Sequence, residues 1–105
     1  MEEKIKILYQ KVKKIVEGYL IGQERNNIEQ MRTIIPQLQE YVLWFIEDNR
    51  LNIDDKDYQE LKKNLILILK DILMAMEQED RVLLNDALAF DLIAYFKMNE
   101  SIVEE

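Results

Sequence analysis

Acidic residues offer most of the reactive chemistry in this sequence, and two of them, Asp86 and Asp91, stand in an otherwise apolar stretch. A carboxylate can act as a general acid or base, hold a metal ion, or accept hydrogen bonds from a partner. An acid–base pair would combine one of these two with Glu60 or Asp71. No spacing fixes such a pair, and no glycine-rich phosphate loop accompanies it. The sequence therefore predicts no catalytic residue and a protein that is not an enzyme.

The 105 residues include no His and no Cys, and the only hydroxyls besides those of Tyr belong to Thr33 and Ser101. The usual zinc, haem and non-haem iron ligand sets, disulfides and thiol nucleophiles are thereby excluded. The aspartate-rich segment 52–57 has a superficial likeness to a calcium loop, but it lacks the turn glycine and the final glutamate. A helix cap accounts for it more simply. We predict no metal, no cofactor and no small-molecule substrate.

The chain is acidic, with 14 Lys plus Arg against 21 Asp plus Glu, for a net charge of −7. Residues 1–25 carry six basic and four acidic groups, a local net charge of +2, which includes Lys11, Lys13 and Lys14. A basic patch could bind nucleic acid, but an acidic protein repels a phosphate backbone, and no aromatic platform is interleaved with these lysines. We interpret them as a solvated face and expect no nucleic-acid partner.

Neither a signal peptide nor a membrane span is indicated. The first residues, 1–4, lack the charged-then-apolar order of a signal peptide, and no stretch reaches about 18 uninterrupted apolar residues. The sequence therefore predicts a cytoplasmic protein with no membrane partner.

Helical spacing dominates the rest of the chain, which is 49% hydrophobic with only two Gly and one Pro. Apolar residues recur three and four positions apart, which places them on one face of each of four helices. The predicted helices span about 3–21, 27–48, 55–77 and 80–100. Short connections favour antiparallel neighbours, so we expect a single all-α domain over 1–105, an antiparallel up-down-up-down four-helix bundle.

The second helix poses the main ambiguity in this fold. Asn27 is its predicted N-cap, and Gln30 completes a capping box. Pro36 lies inside an unbroken apolar phase, which predicts one helix kinked at Pro36. The alternative is that Thr33 caps a fresh helix with Pro36 in its first turn.

The remaining helix ends follow from polar and glycine residues. Gly18 and Gly22 are the expected stop signals of the first helix. Asp57 and Glu60 form a capping-type pair at the start of the third, and Asp80 is the expected cap of the fourth.

The fourth helix is the most apolar, with 13 apolar residues among the 17 from Val82 to Met98. Such a helix lies centrally or is shared with a partner. Asp91 conflicts with its surroundings, because leucines lie next to its position on the helix surface. If buried, Asp91 must be hydrogen-bonded or protonated, as a structural residue. The functional alternative is that Asp86 and Asp91 accept a cation or a backbone donor of a bound partner.

The segment 41–46 has more apolar side chains than one face of a bundle helix requires, and Trp44 does not belong to the predicted apolar stripe. Surplus apolar surface indicates a protein contact. We therefore predict a partner-binding surface formed by Trp44, Asp86, Phe90 and Asp91, with the two aromatic residues as anchors. The expected function is an adaptor or chaperone-like module that holds a partner helix in a groove. The alternative is a structural homo-oligomer, plausibly a homodimer, whose surplus apolar surface is a two-fold interface.

The segment 80–92, DRVLLNDALAFDL, resembles a C-terminal pattern in a family of short, functionally uncharacterised helical-bundle proteins of Firmicutes. The resemblance implies no activity, but it singles out Asp86 and Asp91 as the polar positions of the pattern. More loosely, a small acidic bundle with spare apolar surface is similar to flagellar and secretion export chaperones, which hold an amphipathic client helix in a groove.

Overall fold

The computed structural model describes residues 1–22 and 26–99, and this part of the chain contains helices and turns but no strand. The predicted all-α class is thus confirmed. The elements in chain order are α1 (Glu2–Leu20), α2 (Asn27–Arg32), α3 (Ile35–Glu47), α4 (Asp55–Glu77), α5 (Arg81–Asp86), a π-helical segment (Ala87–Leu92) and α6 (Ile93–Met98).

Helix α1 follows its predicted apolar stripe, since Ile5, Leu8, Val12 and Ile15 are all buried. Its end differs in detail from the prediction, because Gly18 lies within the helix. The chain leaves the helix only after Leu20, and Gly22 then adopts a left-handed φ of 77°, which glycine accommodates without a steric penalty. Its N–H donates to the carbonyl of Tyr19.

The predicted second helix is two helices, α2 and α3, separated by Thr33 and Ile34. Pro36 is the second residue of α3. In one continuous helix its ring would clash with the carbonyl of Arg32, and it has no N–H to donate there. In the first turn of α3 neither problem arises. The alternative, a fresh helix with Pro36 in its first turn, therefore describes the chain better. Its N-cap, however, is Ile34 rather than Thr33. The Thr33 hydroxyl instead donates to the Gln30 carbonyl at 2.7 Å.

The start of α2 also differs from the prediction, because Asn26 rather than Asn27 is the N-cap. Asn27 is the first helical residue and is completely buried. Its side-chain amide donates to the carbonyl of Arg81 at 2.9 Å. This bond ties α2 to the start of α5 across 54 residues of sequence.

Helix α4 has the predicted bounds, but its N-cap is Asp54, without a side-chain capping bond, and the expected pair of Asp57 and Glu60 forms none. At the other end, a tight turn with Glu79 at a φ of 55° reverses the chain. Asp80 then caps α5 as predicted, since its carboxylate accepts from the backbone N–H of Leu83 at 3.0 Å.

The helices enclose one core. Helix α1 packs against α2, α3, the π-helical segment and α6, and α4 packs against α3, α5 and the π-helical segment. Aromatic side chains fill the centre, with the rings of Tyr41 and Phe96 4.7 Å apart and those of Phe45 and Tyr95 5.5 Å apart. The Tyr58 hydroxyl donates to the Phe45 carbonyl at 2.6 Å, which joins α4 to α3. None of the helices in the described ranges is long and apolar enough to cross a membrane.

Candidate protein-binding surface

Phe90 has the highest exposed fraction of any large apolar side chain in residues 1–22 and 26–99, at 73%. It lies in the π-helical segment, on the outside of the molecule. Burial of such a side chain in a complex would contribute about 1.5–3 kcal/mol.

A shallow open groove of about 340 Å³ runs beside Phe90, between α4 and the chain that contains Phe90. Leu67 of α4, itself 54% exposed, lines it as well. The groove residues are Asn64, Leu67, Ile68, Phe90, Asp91, Ala94 and Tyr95. Polar and apolar side chains both line it, and it contains one carboxylate.

Asp91 is exposed, and the π-helical segment explains why. Continuing the α-helical spacing from Leu84 and Leu88 would place residue 91 inside. The N–H of Ile93 donates instead to the carbonyl of Leu88, five residues earlier, which inserts one extra residue into the turn. Leu92, four residues after Leu88, stays buried, whereas Asp91 is turned outward and its carboxylate avoids the desolvation that burial would impose.

Tyr95 forms part of the groove, but its hydroxyl is already engaged. It donates to the carbonyl of Leu61 at 2.9 Å. Burial raises the pKa of this phenol, and the negative charge of Asp91 raises it further. The charged hydrogen-bond acceptor that the groove offers to a partner is therefore the carboxylate of Asp91.

Asp86 is also exposed and ends α5, four residues before Phe90. It does not line the groove. Neither Asp86 nor Asp91 forms an ion pair with another described residue. Both carboxylates thus face solvent without a cationic neighbour in this part of the chain.

Trp44 lies on a different surface from the other three predicted residues. It is half-buried on α3, where the guanidinium of Arg50 lies 4.6 Å from its ring centre, and Tyr41 stacks 6.1 Å away. The small cavity that Trp44 lines shares no residue with the groove beside Phe90. The structure therefore places Phe90 and Asp91 together, with Asp86 nearby, and Trp44 apart.

Sequence reasoning missed the outer face of α4. Four large apolar residues there are exposed: Ile66, Leu67, Leu73 and Met74. The signal was present, because the predicted stripe of this helix runs through Leu65 and Ile72, which are buried, and leaves these four residues unexplained.

A larger depression of about 730 Å³ lies between α1 and α2. Its walls are mainly apolar and carry both signs of charge, with Lys11 and Lys14 against Glu17 and Glu29. Within the described ranges, no group of three or more acidic residues is arranged to hold a metal ion. The groove beside Phe90 is the stronger candidate for a protein contact, because it combines Phe90, the most exposed large apolar side chain of the described ranges, with the exposed Leu67.

These features define an all-α protein with an open groove that lies between two exposed apolar side chains and contains one carboxylate. No protein-family model, no curated protein and no solved structure matches the chain. Its function must therefore be argued from the groove and from the surface around it.

Proposed function

We propose that this chain is a non-enzymatic protein-interaction module, adaptor or chaperone-like, which holds one amphipathic helix of a partner protein in the groove between Phe90 and Leu67. The observation that carries the proposal is the pair of exposed apolar side chains, 73% and 54%, that flank one groove. Exposed apolar surface with a polar rim is characteristic of protein-binding sites.

The framework that we propose for this groove is an antiparallel four-helix bundle. Its first member is α1 and its third is α4. The second member consists of α2 and α3, and the fourth consists of α5, the π-helical segment and α6. Supporting this arrangement, α4 packs on both its sequence neighbours, and α1 packs on α3 and α6. In such a bundle the groove follows the seam between two antiparallel members, which suits a third helix lying along it.

The chemistry of the partner follows from the charges around the groove. Asp91 lies in the groove, Asp86 lies four residues before Phe90, and the whole chain has a net charge of −7. A matching helix presents two apolar residues three or four positions apart to Phe90 and Leu67. It also carries a Lys or Arg that meets Asp91. Trp44, which lies on another surface, is not needed for this contact.

The test uses a designed 18-residue amphipathic helix with Leu on one face and Lys on the other, labelled for fluorescence anisotropy. We expect this peptide to bind and a Leu/Glu peptide of the same pattern not to bind. Phe90→Ser should weaken binding about tenfold, which corresponds to about 1.4 kcal/mol. Val82→Ser is the matched control, because Val82 is an equally conspicuous exposed side chain, 62% accessible, outside the groove.

Binding that Val82→Ser weakens as much as Phe90→Ser would contradict the groove, and so would equal binding of the two peptides. Circular dichroism of both variants separates lost binding from lost folding. Because Phe90 is mainly in solvent, its replacement should leave the helical signal unchanged.

Self-association is the second candidate function. The observation that favours it is the exposed apolar face of α4, which the groove uses only at Leu67. A two-fold interface through this face would give a homodimer.

A further inference from the structure

Helix α4 carries two short apolar rows on its outer face. Seven residues separate Ile66 from Leu73, which are each 38% exposed, and Leu67 from Met74, which are 54% and 51% exposed. Seven residues advance an α-helix by about 20° less than two full turns. Each pair therefore forms a row along the helix, and the two rows lie side by side.

A line of charges runs between the two rows. Lys63, Lys70 and Glu77 are seven residues apart and exposed. None of them forms an ion pair within residues 1–22 and 26–99. The face is thus cationic at Lys63 and Lys70 and anionic at Glu77.

This face is self-complementary about Lys70. A two-fold axis beside Lys70 brings residue 70 − n of one copy against residue 70 + n of an antiparallel copy. Lys63 then meets the partner's Glu77, and Ile66 lies at the level of the partner's Met74, one residue from the level of the partner's Leu73. Each apolar row meets its own counterpart, and both outer charge pairs have opposite signs.

We infer that two copies of this chain pair antiparallel through α4, with the two-fold axis beside Lys70. The inference rests on the second candidate function, self-association, and does not require the groove to bind a partner helix. The order of charges decides the occupant and its direction. A uniformly basic helix would meet Lys63 and Lys70, a uniformly acidic one would meet Glu77, and a parallel copy would set like charges opposite each other.

One like-charge contact remains in this pairing, because Lys70 faces the partner's Lys70 across the axis. The flexible stem of lysine allows the ammonium to bend towards solvent. Asp71, next in sequence and exposed, provides a carboxylate close to the same axis. The contact is therefore tolerated at a cost, and it provides a probe of the geometry.

Single cysteines test the axis directly, because the natural chain contains none. Helices that pack about 8–10 Å apart bring directly facing Cα atoms to about 3.4–5.4 Å, which overlaps the range of a disulfide. Lys70→Cys should therefore cross-link two copies in high yield under mild oxidation. Lys63→Cys is the matched control, since two residues 63 would lie about 21 Å apart in the antiparallel pair.

Charge reversal provides the second measurement, by sedimentation equilibrium over a hundredfold range of concentration. The unchanged chain should form a dimer, and Lys63→Glu and Glu77→Lys should each raise the dimer dissociation constant at least tenfold. The double variant restores the opposite-charge pairs and should dimerise like the unchanged chain. Lys14→Glu on α1 changes the net charge by the same amount as Lys63→Glu and should have no effect on the dimer dissociation constant.

Cross-linking of Lys70→Cys alone, together with rescue by the double charge variant, would support the inference. Equal cross-linking of Lys63→Cys, or a dimer that ignores the charge reversals, would overturn pairing through α4 and leave self-association standing. A chain that stays monomeric over the whole range would overturn both. Pairing through α4 would cover Leu67, which also lines the groove, so the peptide-binding test is made on the monomer, at concentrations below the dimer dissociation constant. Under that condition the two proposals fail separately.

Discussion

Trp44 and Phe90 are both large aromatic residues in apolar stretches, yet the molecule treats them differently. Trp44 is half-buried, with Arg50 over one face and Tyr41 stacked 6.1 Å away. Phe90 is 73% exposed and stacks on no ring of the described residues. An aromatic residue outside an apolar stripe therefore does not by itself mark a binding surface. A nearby cation can cover it from within the same chain.

The largest expected effect concerns the helical turn that carries Phe90. If the π-helical segment places Leu92 inside and Asp91 outside, Leu92→Asp buries a charge and removes a core side chain. We expect it to lower the free energy of unfolding by at least about 3 kcal/mol. The converse change, Asp91→Leu, should alter it by less than about 1 kcal/mol. Urea unfolding followed by circular dichroism measures both, and similar losses in the two variants would mean that the turn is an ordinary α-helix.

The second effect compares the two aromatic residues themselves. Trp44→Ala removes the contacts with Tyr41 and Arg50, and we expect it to destabilise the fold by about 2 kcal/mol. Phe90→Ala removes a side chain that is mainly in water and should cost less than about 0.5 kcal/mol. Equal losses in thermal or urea unfolding would contradict the exposure of Phe90 and, with it, the groove.

The smallest effect uses the tyrosines beside each aromatic residue. Burial raises the pKa of Tyr41 strongly, and the adjacent Tyr95 adds to this increase. Burial and then Asp91 raise the pKa of Tyr95. The unfolded chain therefore loses these protons first as the pH rises. Stability is retained below a pH of about 10 and falls above it, by up to about 1.4 kcal/mol per pH unit for each such tyrosine.

Phenylalanine variants assign this alkaline loss to its sources. Tyr41→Phe should remove more of it than Tyr95→Phe, because the pKa of Tyr41 is raised further. Urea unfolding at a series of pH values from neutral to alkaline provides the measurement. An alkaline slope that neither variant reduces would show that other groups cause it.

Helical periodicity and capping predicted much of the fold. The stripe of α1, the bounds of α4 and the cap at Asp80 follow from spacing and from a short polar side chain at a helix start. The break before Pro36 depended on two opposing signals, an unbroken apolar phase and a missing N–H. The steric conflict at Arg32 decided it in favour of two helices.

The orientation of Asp91 could not be read from spacing. Where 13 of 17 residues are apolar, several helical phases bury almost the same amount of side chain. The cost of burying the Asp91 carboxylate then distinguishes these phases, and a π-helical turn avoids that cost. No periodic template contains such a turn. The exposed rows of α4 were readable in principle, since Ile66 and Met74 lie off the stripe that runs through Leu65 and Ile72.

The position of Trp44 has a spectroscopic consequence. It is the only tryptophan in the chain, and it lies on α3, in surroundings separate from the groove beside Phe90. Its emission should therefore shift to longer wavelength when the domain unfolds and its indole ring becomes hydrated. A helix that enters the groove should leave that emission unchanged. One chromophore thus reports the integrity of the fold during a binding titration without registering the binding itself.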